Sequence, residues 1–286
     1  MKVLLCSIVK EQNKYLREWV EHYQKLGFSN IYLFDNNEEN GGEDISEVIS
    51  GYINNGFVIV DTSIKGKPLV DSLQASVYNK CYLEQSKNYD WIAFYDTDEY
   101  LYLKSCKDIS QWVTNKKYAP FQAIAVNWKT YTDNNILIDG DSTTISAYTD
   151  YIKDRSAKDS IRVKCIYRTK IKELFGKICI HGNTANIKMC NSLGKKMISS
   201  KFPYMIQNLD VAYLKHLKYR SVDGVCKKIM LFADQNKNHA QQILDEYLAM
   251  NKITEEKLQF LIENLKNSGL KINKIIELYD KLHHTK

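Results

Sequence analysis

The stretch Asp90–Tyr100 reads DWIAFYDTDEY and joins an apolar run to a cluster of acids. The run Trp91–Tyr95 has the length and aromatic content of a buried strand. The residues after it include Asp96, Asp98 and Glu99, whose carboxylates repel one another and resist desolvation. A divalent cation removes this cost, and hard oxygen ligands suit Mg²⁺ or Mn²⁺ bound together with substrate phosphates. The stretch therefore predicts a buried strand that ends in a metal site; the alternative is an acidic turn that faces solvent.

The overall composition is that of an ordinary globular protein. The chain has 286 residues, 44% of them hydrophobic and 26% charged. A net charge of +6 is compatible with anionic substrates or an anionic membrane surface. No run of Lys and Arg is interleaved with aromatic residues, so we expect no nucleic-acid partner. The seven Cys form no Cys-x-x-Cys pair, and no segment has the pattern of a signal peptide or a membrane span, so we expect a cytoplasmic protein.

Short apolar runs alternate with segments of helical spacing along the first hundred residues. The runs predict strands at Lys2–Val9, Asn30–Asp35, Phe57–Asp61 and Trp91–Tyr95. The segments between them predict helices at Tyr15–Leu26, Ile45–Tyr52 and Leu69–Ser86. This order predicts an α/β fold with a mostly parallel central sheet flanked by helices. Ligands bind beyond the carboxyl ends of the strands in such sheets, where polar clusters such as Asp35-Asn36-Asn37 stand here.

Several short motifs follow one another in a fixed order over about residues 1–232. They are Lys10-Glu11, Tyr15-Leu16-Arg17-Glu18-Trp19, Asp35-Asn36-Asn37, Asp96-Thr97-Asp98-Glu99-Tyr100, Val126-Asn127-Trp128, Tyr131–Asn135, Arg162–Tyr167 with His181, and Ala212–Lys228 with His216. This ordered set resembles a GT-A glycosyltransferase of the family 2 and family 92 type. Two departures are visible, because Lys10 replaces the commoner Asn and the family's His-Tyr pair is broken into His216-Leu217-Lys218-Tyr219.

The resemblance implies a GT-A catalytic domain followed by a helical extension. The catalytic domain would span residues 1–222, with a nucleotide-sugar half at about 1–103 and an acceptor half at about 104–222. Beyond Asp223 the apolar spacing predicts helices, so we assign residues 223–286 to a C-terminal helical extension. This extension is rich in Lys. We expect it to pack on the catalytic domain; the alternatives are dimerisation and a peripheral position on the anionic inner face of a membrane.

The activity that the resemblance implies is a metal-dependent, inverting transfer from a UDP-sugar, with a galactose-type donor favoured. The acceptor would be a glycan or a lipid-linked glycan in surface polysaccharide synthesis. Mn²⁺ or Mg²⁺ would stabilise the departing diphosphate. The metal ligands would be Asp96, Asp98 and His181, with His216 as the competitor of His181.

Nucleotide binding is assigned, by the same resemblance, to residues at the first two strand ends, in or after the loop that follows the third strand, and at the metal motif. They are Val9, Lys10, Glu11, Asp35, Asn36, Lys67, Gln74, Asp96 and Thr97. The alternative for Asp35-Asn36-Asn37 is a plain turn, since Asn and Asp favour such positions. For Lys67 and Gln74 the alternative is a solvated polar side chain.

An inverting transfer needs a general base that takes the proton of the acceptor hydroxyl. We assign this role to Asp133, in the motif that resembles the family's Asp-Asn segment. The alternatives are Asp139, Asp141 and Glu99. The polar segment Asp139–Lys164 is weakly periodic and is interpreted as a mobile loop over the site.

Two other classes of function compete with the glycosyltransferase. A nucleotidyltransferase acting on sugar phosphates shares the parallel sheet and the metal, but it carries a Gly-rich basic loop after the first strand, which this sequence lacks. A non-catalytic glycan-binding relative is the second alternative. The retained Asp96 and Asp98 argue against it, because an unused pair of acids at a strand end is costly.

Overall fold

The computed structural model describes residues 1–68, 70–140, 143–197, 204–233 and 236–283. Their strands are β1 (Val3–Val9), β2 (Asn30–Asp35), β3 (Val58–Asp61), β4 (Trp91–Phe94), β5 (Glu99–Leu103), β6 (Ala123–Thr130), β7 (Val163–Arg168), β8 (Ile178–Cys179), β9 (Gly182–Asn183), β10 (Met189–Asn191) and β11 (Ala212–His216). Their helices are α1 (Asn13–Lys25), α2 (Ser46–Asn54), α3 (Asp71–Gln85), α4 (Ile109–Val113), α5 (Lys158–Ile161), α6 (Val222–Ala233), α7 (Lys237–Met250), α8 (Glu255–Leu265) and α9 (Asn273–His283).

The central sheet has the strand order β3-β2-β1-β4-β7-β6-β11-β5, and β10 pairs with β6. Strands β3, β2, β1 and β4 are parallel neighbours, as the alternation of strands and helices predicts. Every residue of β1 is buried, which explains why its sequence VLLCSIV is nearly all apolar. The predicted strand and helix positions in this region are confirmed to within two residues at each end, except that Leu69, where the third helix was expected to begin, lies outside the described residues.

The other half of the sheet is mixed in direction. Strand β7 is antiparallel to both β4 and β6, and β11 is antiparallel to β5. The predicted fold class, a large α/β sheet flanked by helices, is confirmed. The antiparallel strands could not be foreseen, because apolar periodicity identifies a strand without its direction.

Helices α1 and α3 support the strand ends that carry the acids. Helix α3 packs through Val77, Tyr78 and Cys81 in one core cluster with Cys6 of β1 and Phe94 of β4. Helix α1 buries Trp19 and Tyr23, whose Nε1–H and hydroxyl both donate to the Glu99 carbonyl, at 3.0 and 2.8 Å. The backbone at the start of β5 is therefore fixed by buried aromatic side chains.

The chain divides into two compact units. The first contains residues 1–129 and 154–216, and the second contains residues 130–153 and 217–286. The sheet belongs to the first unit, apart from the last residue of β6. The predicted boundary after residue 222 stays a prediction, and the second unit also includes the segment 130–153.

The second unit is built on the C-terminal helices. Helices α6 to α9 bury a shared apolar cluster that includes Ile229, Leu244, Leu261 and Ile275, so the helices predicted beyond Asp223 are confirmed. In the segment 139–164, the structure places a 3₁₀ turn at Ile145–Ala147 and then helix α5. Among the described residues, no helix has both the length and the apolar character needed to cross a membrane.

Candidate metal centre

The chain reverses between β4 and β5 through a turn closed by Asp96 and Glu99. The Asp96 N–H donates to Glu99 Oε2 at 3.0 Å, and the Glu99 N–H donates to the Asp96 carbonyl at 3.0 Å. Asp98 lies within this turn, between Asp96 and Glu99, and the Asp98 side chain is partly exposed. The three acids that the sequence places at the end of the buried strand are thus held in one tight turn.

The pairing of β5 with β11 brings a histidine to these acids. His216 is the register partner of Glu99, and its Nε2 lies 3.6 Å from Asp98 Oδ2. One ligand atom each from Asp98, Glu99 and His216 lies within 4.8 Å of the others. Two carboxylates and an imidazole fit a divalent cation such as Mn²⁺, which accepts both oxygen and nitrogen, better than they fit Mg²⁺, which prefers oxygen alone.

Glu99 is the most deeply buried member of this cluster. Its side chain is fully buried, and its Oε1 has no hydrogen-bond donor among the residues that the structure describes. Burial raises the pKa of Glu99 well above its usual value, against the attraction of Lys164, and the charges of Asp96 and Asp98 add to the rise. A cation beside this carboxylate would favour its ionised form.

The Asp96 side chain is surrounded by donors from α3 and β7. Its Oδ1 accepts from Gln74 Nε2 at 2.8 Å and from the Tyr78 hydroxyl at 2.9 Å. Its Oδ2 accepts from Lys164 Nζ at 2.8 Å, and Lys164 is fully buried. Burial opposes the charge of this lysine, but Asp96 and Glu99 raise its pKa. Both oxygens of Asp96 are thus occupied, and the metal and nucleotide roles predicted for this residue stay predictions.

The two histidines that compete as metal ligands both lie against the Trp128 ring. The Trp128 ring centroid is 4.1 Å from that of His216 and 5.1 Å from that of His181. His181 Nδ1 lies 3.3 Å from the Val163 carbonyl oxygen, and burial lowers the pKa of His181 to about 3. The cluster of ligand atoms includes His216, and the metal role of His181 stays a prediction.

The carboxyl ends of β1 and β2, which were predicted to bind the nucleotide, are connected by hydrogen bonds. The Asn36 N–H donates to the Val9 carbonyl at 2.9 Å, and the Glu11 N–H donates to Asn37 Oδ1 at 2.7 Å. Glu11 has a positive φ of 51°, which turns the chain sharply after β1. Asp35 is buried and its Oδ1 accepts from the backbone N–H of Asn37 at 3.0 Å. The structure therefore brings the two strand ends together, as the parallel topology predicts.

The other residues predicted to bind the nucleotide are Lys10, Lys67 and Thr97, and each has contacts or burial within the protein. Lys10 Nζ pairs with Glu38 at 2.8 Å. The Lys67 carbonyl accepts from Asn36 Nδ2 at 2.9 Å, while its ammonium donates to the Ser63 carbonyl at 2.8 Å. Thr97 is buried in the turn after β4. The nucleotide contacts of all these residues stay predictions.

Asp133, the predicted general base, is a buried member of the second unit. Its Oδ1 accepts from Lys257 Nζ at 2.7 Å and its Oδ2 from the Tyr247 hydroxyl at 2.6 Å. Its own N–H donates to Asn251 Oδ1 at 2.9 Å. These contacts indicate a packing role, and the general-base role stays a prediction. Of its alternatives, Asp141 lies outside the described residues and Glu99 belongs to the acid cluster.

The sequence interpretation missed two buried lysines, Lys164 and Lys257. Lys164 interrupts the otherwise apolar or aromatic stretch Val163–Tyr167, and a lone charge in a buried strand is a signal for an acidic partner. Lys257 stands in an amphipathic helix rich in charges, where nothing in the sequence distinguishes it from a solvated residue. The buried position of Lys164 could therefore have been predicted from the sequence, whereas that of Lys257 could not.

The sequence comparisons match glycosyltransferase family 92. The model of glycosyltransferase family 92 matches residues 3–250. A glycosyltransferase family 92 protein of Ricinus communis is 28% identical over 115 residues, which are 40% of this chain and 20% of the relative. One of Oryza sativa subsp. japonica is 23% identical over 116 residues, 41% of this chain and 19% of the relative. The chain thus matches about a fifth of the length of these curated relatives.

Solved structures are similar at a lower level. The structure of S. aureus TarS residues 1–349 is 15% identical with a TM-score of 0.42, over 96% of this chain and 77% of that one. The mannosyltransferase PcManGT from Pyrobaculum calidifontis, solved with GDP-Man and Mn²⁺, is 7% identical with a TM-score of 0.41, over 98% of this chain and 73% of that one.

Proposed function

Because the chain belongs to glycosyltransferase family 92, we propose that it transfers a sugar from a UDP-sugar to a glycan or a lipid-linked glycan. We further propose that the donor is of the galactose type, that the reaction inverts the configuration at the anomeric carbon, and that the product belongs to surface polysaccharide synthesis. The observation that carries its chemical part is the convergence of Asp98, Glu99 and His216 at the carboxyl end of the parallel strands.

The charge of this cluster supports a divalent cation. Asp96, Asp98 and Glu99 bring three carboxylates into one turn, and Lys164 supplies one buried ammonium. Since His216 is neutral when it acts as a metal ligand, the ionised cluster lacks two positive charges. When bound, a divalent cation would supply the positive charge that stabilises a departing nucleoside diphosphate.

The surrounding side chains would hold the metal ligands in place. Trp19 and Tyr23 fix the Glu99 backbone through their bonds to its carbonyl. Trp128 packs against the His216 ring and restricts its rotation. Such support matters because ligands held by packing need little reorganisation when charge develops in the reaction.

The joined ends of β1 and β2 provide the surface we propose for the nucleotide. Asp35 and Asn36 are buried there, and the left-handed backbone of Glu11 sets the path of the loop after β1. In a parallel sheet this edge lies beside the acid cluster, since β1 is the neighbour of both β2 and β4. A UDP moiety bound at this edge would place its diphosphate toward the cation.

The test is the release of nucleoside diphosphate from a panel of sugar nucleotides, measured with and without added Mn²⁺. We expect UDP release that depends on the metal. The Asp98→Ala variant should lower it by at least about a hundredfold, because metal stabilisation is worth several kcal/mol. Asp280→Ala, which removes an exposed carboxylate of α9, is the matched control and should retain activity. Near-native, metal-dependent turnover by Asp98→Ala would refute the proposed site.

A further inference from the structure

Lys164 is a charged residue placed where a strand should be apolar. It lies in β7 with no exposed side-chain surface, and its neighbours Val163 and Cys165 are buried core residues. Its Nζ is 2.8 Å from Asp96 Oδ2 and 3.8 Å from Glu99 Oε1. Burying an ammonium at this depth is costly unless it has a partner, so the lysine is tied to the acid cluster.

The two aspartates of the motif differ in what surrounds them. Asp96 receives hydrogen bonds on both oxygens from Gln74, Tyr78 and Lys164. Three of the roughly four acceptor sites of the Asp96 carboxylate are therefore filled. The site that is left lies on Oδ2 beside the Lys164 ammonium, whose charge repels a cation. Asp98 Oδ2 lies 3.6 Å from His216 Nε2, and one ligand atom each from Asp98, Glu99 and His216 lies within 4.8 Å of the others.

We propose that Lys164 is a positioning residue of the metal centre, because its ammonium holds the Asp96 carboxylate and confines a divalent cation to Asp98, Glu99 and His216. The inference rests on the proposed function, since it presumes that the cluster binds such a cation. It goes further by giving the two aspartates different tasks. Asp98 is a ligand, whereas Asp96 and Lys164 form a neutral pair that supplies no ligand to the cation.

The test is Mn²⁺ affinity measured by electron paramagnetic resonance, which needs no substrate. The Asp96→Asn/Lys164→Met double variant removes the ion pair as a unit, so its affinity should stay within about threefold of the wild type. Asp98→Asn and His216→Ala remove ligands and should weaken binding at least about thirtyfold. Asp96→Asn alone should weaken binding to an intermediate degree, because it leaves the Lys164 charge unopposed near the ion, and adding Lys164→Met should restore it.

A matched control is available on the surface. Exposed Lys227 and partly exposed Asp223 form an ion pair at 2.8 Å in α6, so Asp223→Asn/Lys227→Met should leave Mn²⁺ affinity unchanged. If the Asp96/Lys164 double variant fails to fold, the anomalous signal of Mn²⁺ in wild-type crystals decides the question. We expect the ion against Asp98, Glu99 and His216, with Asp96 still on Lys164.

The outcomes separate this inference from the function on which it rests. If the double variant loses as much Mn²⁺ affinity as Asp98→Asn, or if the crystallographic ion contacts Asp96, Lys164 does not confine the cation and only this inference falls. If the wild type binds no Mn²⁺ but releases UDP from a sugar nucleotide, the inference falls while the transferase survives. If it does neither, the proposed function falls as well.

Discussion

The Lys257→Met substitution should make the second unit much easier to unfold, because it leaves the Asp133 carboxylate buried without the lysine ammonium. Asp133 and Lys257 are each 1% exposed and their charged atoms are 2.7 Å apart. Removing one partner of such a pair costs about 3–5 kcal/mol, because the remaining charge has lost both water and its counter-ion. The Tyr247 hydroxyl still donates to Asp133, which favours the lower end of this range.

The assay is urea unfolding followed by circular dichroism at 222 nm, which reports helices such as those of the second unit. A loss of about 3 kcal/mol lowers the midpoint by at least about 1 M for a small cooperative unit. Tryptophan fluorescence provides the comparison, since Trp19, Trp91, Trp112 and Trp128 all lie in the first unit. The two signals together tell a loss in the second unit from a loss in the whole chain.

Two further variants decide what Asp133 does. Asp133→Leu/Lys257→Met replaces the pair with apolar side chains and should recover most of the stability, since it leaves no unpaired charge. Asp133→Asn should destabilise the second unit about as much as Lys257→Met. The reasoning is refuted if both single variants unfold like the wild type. Loss of sugar transfer in a fully stable Asp133→Asn would instead support the general-base role.

Two other predictions follow from buried groups in the first unit. Burial lowers the pKa of His22 to about 4. The unfolded chain therefore binds the proton first, and stability is lost as the pH falls from about 6.5 toward 4. His22→Gln should reduce the loss of stability between pH 7 and pH 4.5, measured by urea titration, by up to about 2 kcal/mol, and an unchanged pH dependence would contradict this reasoning. Trp19→Phe removes the Nε1–H that donates to the Glu99 carbonyl. This variant should lose about 1–3 kcal/mol of stability and bind Mn²⁺ more weakly. An unaltered Mn²⁺ affinity would show that this hydrogen bond does not support the metal centre.

The local elements of this protein could be predicted from its sequence. The runs at β1, β2 and β4 are apolar because each of these strands is covered on both sides, and α1 shows the spacing of a one-sided helix. The acid turn that contains Asp98 could be placed at a strand end, since an apolar run followed by carboxylates marks that end. The positions of these strands, of helix α1 and of the acid turn depend on residues that are close in the chain, so the sequence alone determines them.

The composition of the site was decided by tertiary structure. Glu99 meets His216 only because β5 and β11 pair in one register, and Lys164 meets Asp96 only because β7 lies antiparallel beside β4. Asp133 stands in a motif that suggests chemistry, yet its surroundings consist of a lysine and a tyrosine more than a hundred residues away. Apolar periodicity fixes which face of a strand is buried, but it leaves open which strand lies next to it. Contacts between distant charges depend on that choice and therefore had to be observed.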